Sequence, residues 1–446
     1  MLSDRMEDSD GLSLLLVTAN VGTLFEMADV LMEIWMAEFG ECVAQRQPKF
    51  IALHCQEIGG KIVDEETMVQ TNAFCEKMHS QSVFSNYDRG RTFIDAEFES
   101  TGKFTALGSF YFVHKSVRHA HIWDFKRREF TEFRDYEAVA LPVSSDDRCT
   151  AQRMRFPPDL HPLATGNRKG FIITRWMIDD RIFDLINIHM FHDANNFVAM
   201  ESSPSSYTEA RKAALQHVMD TLDRGDVTEP FFLFGDFNFR LDSHEVVKKL
   251  TENGIRQEVI GNGTGEDSSP ARRKIRYVDS QDLNKLLLTV GKKTFDYYEA
   301  QDAFRTDNGK WLRTFDNELS VFPQLHEKEI TFPPSYPYEE DVDRGTSLMK
   351  TRCPAWCDRV LMNSSAWNLI DRRKKEEYSL IGPSVCMGDH KPVFLYVSLT
   401  STVNKRNIVS VTNEGDSRTS KSKVSVVRSD VRGINRWSAC DRCSVL

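Results

Sequence analysis

Residues 231–241 read Phe-Phe-Leu-Phe-Gly-Asp-Phe-Asn-Phe-Arg-Leu. Four apolar residues in a row, three of them aromatic, stop at a glycine and give way to polar side chains. That is the signature of a short buried strand that ends abruptly. Side chains two apart on a strand face the same way, so Asp236 and Asn238 would emerge together where it ends, beside a glycine that allows close approach. The simplest alternative is a turn or helix-capping aspartate.

Further apolar, β-branched runs predict strands at 12–21, 50–57, 104–113, 136–143, 169–178, 181–190, 357–363 and 391–399. The pair 169–178 and 181–190, separated only by Asp179 and Asp180, predicts a hairpin. Between these runs, helical spacing appears at 25–45 (Met27, Val30, Leu31, Ile34, Trp35), near 64–80 and over 207–223. Helical segments are also expected to fill most of 244–306. Helices interleaved with strands, some joined by tight turns, predict a layered α/β domain with mixed sheets. No internal repeat is visible.

Composition bounds the function classes. The chain has 446 residues, 40% apolar and 28% charged, and its net charge is −9. This is ordinary globular composition, and the acidic balance argues against a general nucleic-acid-binding surface. No apolar run approaches the roughly 20 residues of a membrane helix. The N-terminal run follows acidic rather than basic residues, unlike a secretory leader. Nine cysteines scattered over such a length fit a reduced, cytosolic setting better than a disulfide framework.

Polar residues recur at predicted strand ends. Asn20 closes the first run, Glu57 the second and His189 the sixth, while Asp358 opens the run at 357 and Asp389-His390 precede the last. Ligand sites in layered α/β folds gather where strands end. An imidazole used in catalysis is usually oriented by a carboxylate, and Asp358 is the candidate for His390. His189 and His192 could also be read as zinc ligands, but no further Cys or His pair has matching spacing; Cys353 and Cys357 only flank Pro-Ala-Trp. The stretch His54-Cys55-Gln56-Glu57-Ile58-Gly59-Gly60-Lys61 resembles a cysteine-phosphatase loop. Its clamp position holds Lys61 rather than arginine, and Cys55 follows a buried run, so Glu57 is the better candidate.

Taken together, "GDFNFRL" (235–241), "PAWCDRVL" (354–361) and "GDHKPV" (388–393), with Glu57 upstream, resemble the inositol polyphosphate 5-phosphatases of the endonuclease/exonuclease/phosphatase superfamily. The resemblance spans about residues 12–398 and is strongest to the type I subfamily, through "LLLVTANVGTLF", "ALHCQEIGGK", "ITFPPSYPY" and "TRCPAWCDRVLM". It implies a four-layer α-β-β-α sandwich of two packed mixed sheets, and a magnesium-dependent phosphatase that removes the 5-phosphate of soluble inositol polyphosphates. The expected substrates are inositol 1,4,5-trisphosphate and inositol 1,3,4,5-tetrakisphosphate, so that a calcium-mobilising signal ends. A phosphoinositide-lipid 5-phosphatase or a nuclease of the superfamily are the alternatives. The resemblance also assigns roles: Glu57, Asn20 and Asp389 at Mg²⁺; Asp236 on the attacking water; Asn238 and His189 on the scissile phosphate; and His390, oriented by Asp358, on a phosphate oxygen. Lys169, Arg352, Arg359 and Lys391, each beside a motif, and Tyr336 are candidates for the remaining phosphates. Relatives often carry Thr and Lys around that tyrosine. Here Ser335 and Pro337 stand there, which fits soluble substrates over lipids.

The expected organisation is a mobile N-terminus (1–10), a catalytic domain (11–400) and a basic tail (401–446). The tail carries nine Lys/Arg against four Asp/Glu, leaving the body at −14. It ends Cys443-Ser444-Val445-Leu446, a prenylation signal whose final leucine favours geranylgeranyl, with Cys440 available for a palmitoyl group. One lipid gives weak attachment and a basic segment a second hold. A monomer on the cytoplasmic face of the plasma membrane, partly cytosolic, is expected.

Overall fold

The computed structural model describes residues 11–60, 65–95, 104–137, 141–142, 149–160, 168–223, 229–261 and 272–400. The predicted N-terminal segment and the tail, with Cys440 and Cys443, lie outside them. In chain order the strands are β1 (Leu12–Asn20), β2 (Phe50–Gln56), β3 (Tyr87–Ile94), β4 (Gly108–His114), β5 (Ala120–Asp124), β6 (Glu129–Glu132), β7 (Leu141–Pro142), β8 (Gln152–Arg155), β9 (Gly170–Ile178), β10 (Arg181–His189), β11 (Phe231–Asp236), β12 (Gly254–Gly261), β13 (Arg272–Asp279), β14 (Leu286–Gly291), β15 (Thr294–Tyr297), β16 (Leu325–Glu327), β17 (Asp358–Asn363), β18 (Glu377–Leu380) and β19 (Val393–Leu399).

They form two large mixed sheets, ordered β18-β19-β1-β2-β4-β3-β7 and β16-β17-β11-β10-β9-β5-β6, with β8 added beside β9. Alternation along the strands explains the layering. Leu14 and Leu16 point into one apolar cluster with Phe232, Phe234, Leu185 and Trp176 from the second sheet. Their neighbours Leu15 and Val17 point the other way, onto Trp35, Phe39 and Val43 of the helix Ala28–Arg46 and Phe74 and Met78 of the helix Glu65–His79. On the far side, Ile186, Ile188 and Leu233 pack on Ala214, Leu215 and Val218 of the helix Ser206–Leu222. This is the four-layer α-β-β-α sandwich. Each fully buried Leu, Ile or Phe contributes about 1.5–3 kcal/mol, so the three clusters supply most of the drive to fold.

Two features hold the sheets together near the site. The His54 ring stacks on Phe234 at 3.7 Å, with Nε2 3.1 Å from the Tyr111 hydroxyl. Beyond it, Thr18 donates to Gln56 Oε1 (3.1 Å) and Gln56 to Asn187 Oδ1 (2.8 Å), while Asn187 donates to the Gly108 carbonyl (2.9 Å). This buried, mutually satisfied belt crosses from β1 and β2 to β10 and fixes how the strand ends face one another.

The hairpin of β9 and β10 forms as predicted, Arg181 pairing with Ile178. The expectation of helices over most of 244–306 is corrected. Only Ser243–Leu250 and Ala300–Arg305 are α-helical there, and β12–β15 make a third, antiparallel sheet. In β13, Ile275 and Tyr277 are buried while Lys274 and Arg276 are exposed, a period of two. The predicted strand at 136–143 reduces to an isolated bridge at Tyr136 and the two-residue β7; 138–140 lie outside the described residues. No helix among the described residues is long and apolar enough to cross a membrane, and the seven described cysteines are all free.

Candidate active site

The topology brings the polar strand ends to one rim. β1 and β2 run parallel, with Asn20 beside Gln56, so Asn20 and Glu57 leave the first sheet together. β10 and β11 run parallel, with His189 beside Asp236, and antiparallel β17 begins at Asp358 directly opposite Asp236. β19 runs antiparallel to β1, so the residues just before it, Asp389 and His390, return to the same rim. Gly235 makes the close packing possible: a Cβ there would sit 1.9 Å from the Ile188 carbonyl oxygen. Glu57 and Asn238 are both held at positive φ, 56° and 52°, which turns the chain sharply out of each strand.

Asp236 is the hub. Its Oδ1 accepts from the Asn238 backbone N–H (2.8 Å), and its Oδ2 from Asn238 Nδ2 (3.0 Å) and Asn20 Nδ2 (3.2 Å). His189 Nε2 lies 3.2 Å from Oδ2 and 3.7 Å from Glu57 Oε1. Lys169, just ahead of β9, reaches His189 Nε2. Burial alone would raise the Asp236 carboxyl, but His189, His390 and Lys169 hold it far below the usual range, so it is ionised. Glu57 follows the same logic: burial is outweighed by Lys169 and His189.

His390 and Asp358 form the second half. Nδ1 of His390 lies 2.8 Å from Asp358 Oδ2, which also accepts from the Ser335 hydroxyl (2.8 Å). Burial pulls this imidazole down, but Asp358, Asp236 and Asp389 outweigh it and raise it well above its ordinary value. This favours an imidazolium held against Asp358, whose own carboxyl is pushed up by burial. One ligand atom each from Asp236, Asp358 and His390 lies within 4.8 Å of the others.

A third group surrounds Gly22 and Thr23. A Cβ at Gly22 would meet Glu57 Oε2 at 2.6 Å and Asn20 Oδ1 at 3.4 Å, so both oxygens converge on the space that glycine leaves. The Thr23 hydroxyl bridges Glu340 Oε1 (2.7 Å) and Asp389 Oδ1 (2.9 Å). Carboxylate and amide oxygens gathered in this way fit a hard divalent cation. Thr23 and Glu340 were not singled out from the sequence, although Thr23 lies within one of the stretches that carry the resemblance and Glu340 just beyond another.

The predicted residues do not all arrive. Asn20, Glu57, Lys169, His189, Asp236, Asn238, Asp358, Asp389 and His390 meet at the rim, and Tyr336 joins them with its ring 4.5 Å from that of His390. Arg352 lies at the margin, donating to the Asp193 carbonyl through Nε (3.3 Å) and Nη2 (3.1 Å). Arg359 is a correction. It follows Asp358 on a strand and so points away, into Glu327 (2.7 Å) and Asp316 (3.0 Å), and is 1% exposed. Lys391 is another: fully buried, it donates to the carbonyls of Gly382 and Val385 and lies 4.8 Å from the Tyr338 ring centre. Asn238 differs from its expected role on the phosphate. Both amide hydrogens are taken, by Asp236 and by the Met190 carbonyl (3.0 Å), so its side chain orients Asp236. Cys55 is wholly buried and its thiol is pushed far above the range where a thiolate forms, which removes it as a nucleophile. Among the described residues, His192 and the cysteines belong to no metal cluster.

A four-layer sandwich with paired carboxylates, a carboxylate-bound imidazolium and an oxygen-lined cradle at one rim defines a hydrolase class that works on phosphate esters. Residues 282–396 match the model of the endonuclease/exonuclease/phosphatase family 2. Inositol polyphosphate-5-phosphatase A from Homo sapiens is 45% identical over 86% of this chain and 93% of its own length. A probable type I inositol 1,4,5-trisphosphate 5-phosphatase from Caenorhabditis elegans is 33% identical over 85% and 98%. A crystal structure of the inositol polyphosphate 5-phosphatase domain of a synaptojanin, solved with inositol (1,4)-bisphosphate and a calcium ion, covers 87% of this chain and 84% of its own, at 14% identity and a TM-score of 0.47. On its extensive identity to full-length relatives, the chain belongs to the inositol polyphosphate 5-phosphatase family.

Proposed function

We propose that this enzyme hydrolyses the 5-phosphate of soluble inositol polyphosphates, with inositol 1,4,5-trisphosphate and inositol 1,3,4,5-tetrakisphosphate as substrates and Mg²⁺ as cofactor. The observation that carries this reading is the convergence of Glu57, Asp236 and the Asp358–His390 pair on one rim, fed by both sheets.

Glu57, Asn20 and Asp389 would hold the cation. When bound, it neutralises charge on the phosphate oxygens and eases departure of the inositol oxygen. Asp236, ionised and fixed by Asn20 and Asn238, accepts a hydrogen bond from the attacking water and aligns it with the phosphorus–oxygen bond. Its low proton affinity makes it an orienter more than a base. His390, as imidazolium, donates to a phosphate oxygen where negative charge grows, and Asp358 keeps both its charge and its ring direction. Lys169 and His189 face the same anion from β9 and β10. Water adds to phosphorus, the bond to the inositol 5-oxygen breaks, and inorganic phosphate and the inositol alcohol leave. Ser335, bonded to Asp358, and the absence of lysine at position 337 support soluble substrates over lipid ones.

The test is phosphate release from inositol 1,4,5-trisphosphate with Mg²⁺ and with EDTA, for wild type and Glu57→Gln. Turnover should require the metal and fall at least about 100-fold in the variant. Metal-independent turnover, or a Glu57→Gln enzyme as active as wild type, would overturn the assignment.

A further inference from the structure

The tip of the β14–β15 hairpin is Lys292-Lys293. Gly291 pairs with Thr294, so these two residues alone make the turn. Two-residue hairpin turns favour Asn, Asp and Gly. Two adjacent lysines serve the turn poorly and repel one another. Lys274 on β13 adds a third charge: it pairs with Gly291, and its Cγ would lie 3.8 Å from a Cβ placed on that glycine. Arg276 follows on the same face of β13, opposite Thr289. All four side chains are exposed, and among the described residues none has a carboxylate within ion-pair reach. Neighbouring cations differ. Arg273, on the other face of β13, pairs with Glu258, and Lys350 pairs with Asp296 at 3.0 Å. Four unmatched cations thus gather on a body whose net charge is −14.

The tip is fastened to the rim. Asn196 Nδ2 donates to the carbonyls of Gly291 (3.2 Å), Thr294 (2.9 Å) and Thr351 (3.0 Å), and its backbone N–H to that of Lys292 (3.0 Å). Asn196 lies on the segment that leaves the site at His189. Thr351 also accepts from Arg352 Nη1 (2.9 Å), at the margin of the site. One buried side chain therefore ties the turn to two segments that reach the rim. The inner face of the third sheet, with Ile275, Tyr277, Leu288 and Val290, is committed to the core. The four cations are not, and nothing in the packing of the sheet calls for them.

We propose that Lys292, Lys293, Lys274 and Arg276 form a cationic approach surface that draws polyanionic inositol phosphates towards the rim before they bind in it. The identity of that ligand rests on the functional reading above; the location of the surface does not. An acidic body repels a ligand carrying several phosphates. A local patch of opposite sign beside the site restores the attraction and raises the rate of encounter. Such a patch acts over about a Debye length, so salt abolishes it without touching the chemistry.

The test compares wild type with Lys292→Gln/Lys293→Gln, with a quadruple variant that adds Lys274→Gln and Arg276→Gln, and with Lys115→Gln/Arg118→Gln. The last removes two exposed charges beyond the end of β4, which pairs with the start of β2 and so lies at the pole away from the rim. Phosphate release from inositol 1,4,5-trisphosphate and inositol 1,3,4,5-tetrakisphosphate is measured at about 20 mM and about 0.5 M salt. At low salt kcat/KM should fall about threefold in the Lys292/Lys293 variant and about tenfold in the quadruple variant, more for the tetrakisphosphate, with kcat within about twofold of wild type. At high salt these differences should vanish. Lys115→Gln/Arg118→Gln should track wild type at both. Equal losses in the two double variants would assign the effect to net charge alone and overturn the proposal. So would a loss that persists at high salt, or a quadruple variant that matches wild type at low salt. A quadruple variant that keeps kcat/KM but no longer sediments with phosphatidylserine vesicles would give the face to a lipid surface, and would overturn it too. If wild type released no phosphate from either compound, the substrate reading would fail. Calorimetric binding of the tetrakisphosphate that is salt-sensitive in wild type and weakened in the quadruple variant would still uphold the approach surface, and equal binding to both would overturn it.

Discussion

Asp236 spends its two oxygens on donors from three elements, and this crowding decides what it can do. With Asn20, Asn238 and His189 all directed at it, it cannot rotate. An amide in its place would present hydrogens to Asn20 and Asn238, which already donate. Asp236→Asn should therefore cost on the order of 10²–10³ in kcat while KM changes little, measured by steady-state phosphate release. Cys55→Ser, two residues from Glu57, should keep activity within about threefold, since that side chain faces the apolar layer under the helix Ala28–Arg46. Residue pairs also show what the motifs could and could not tell. Asp358 lies in the site, and on a strand its successor must point away; the burial of Arg359 with Glu327 and Asp316 follows from that rule, although proximity to the motif made it look like a phosphate ligand. Arg240, which donates to Asn238 Oδ1, was not singled out from the sequence, and strand alternation does not reach it, since β11 ends at Asp236 and the chain turns at Asn238.

Among the elements, the long central strands β1, β2, β4, β9, β10, β11, β17 and β19 were readable because their apolar runs are continuous and stop at polar residues. The third sheet was not. Leu286–Leu288 is a run of only three apolar residues before Thr289, too short for periodicity to assign, and the alternation in β13 is masked by its charges. The small strands β5, β6, β8, β16 and β18 were missed because a few residues carry too little pattern, and β3 was missed because Asp88, Arg89, Gly90 and Arg91 break its apolar signal. The β10–β11 contact, by contrast, hinges on one position. Gly235→Ala would drive a methyl group into the Ile188 carbonyl. No flexible side chain can yield there, so the strands must part. Urea unfolding should show a loss of about 3 kcal/mol or more, with activity falling further because Asp236 is the next residue.

For the whole molecule, the polar belt between the sheets makes stability depend on acid. His54 is fully buried against Phe234, and burial lowers its pKa to about 3. The folded chain keeps it neutral, while the unfolded chain takes up a proton below about pH 6.5. Its contribution is thus complete above that pH and drains away as pH falls from about 6.5 towards 3, by about 1.4 kcal/mol per unit. His54→Phe keeps the stack and leaves the Tyr111 hydroxyl with Thr174 at 2.9 Å. Urea melts at pH 7, 6 and 5 should show a shallower decline for this variant than for wild type; parallel slopes would assign the acid sensitivity elsewhere.

The order of strands in the first sheet has a consequence for how the enzyme comes into being. β19, made last, sits between β18 and β1, which was made first. His390 and Asp389 enter the site only when β19 takes that slot, although Asn20 and Glu57 leave the ribosome hundreds of residues earlier. A nascent chain is therefore catalytically silent until the segment from Asp389 through β19 has been made and has seated beside β1. Contacts this distant in sequence also close slowly, so a newly made molecule should pass through a folded-looking but inactive interval in which β1 waits with an open edge.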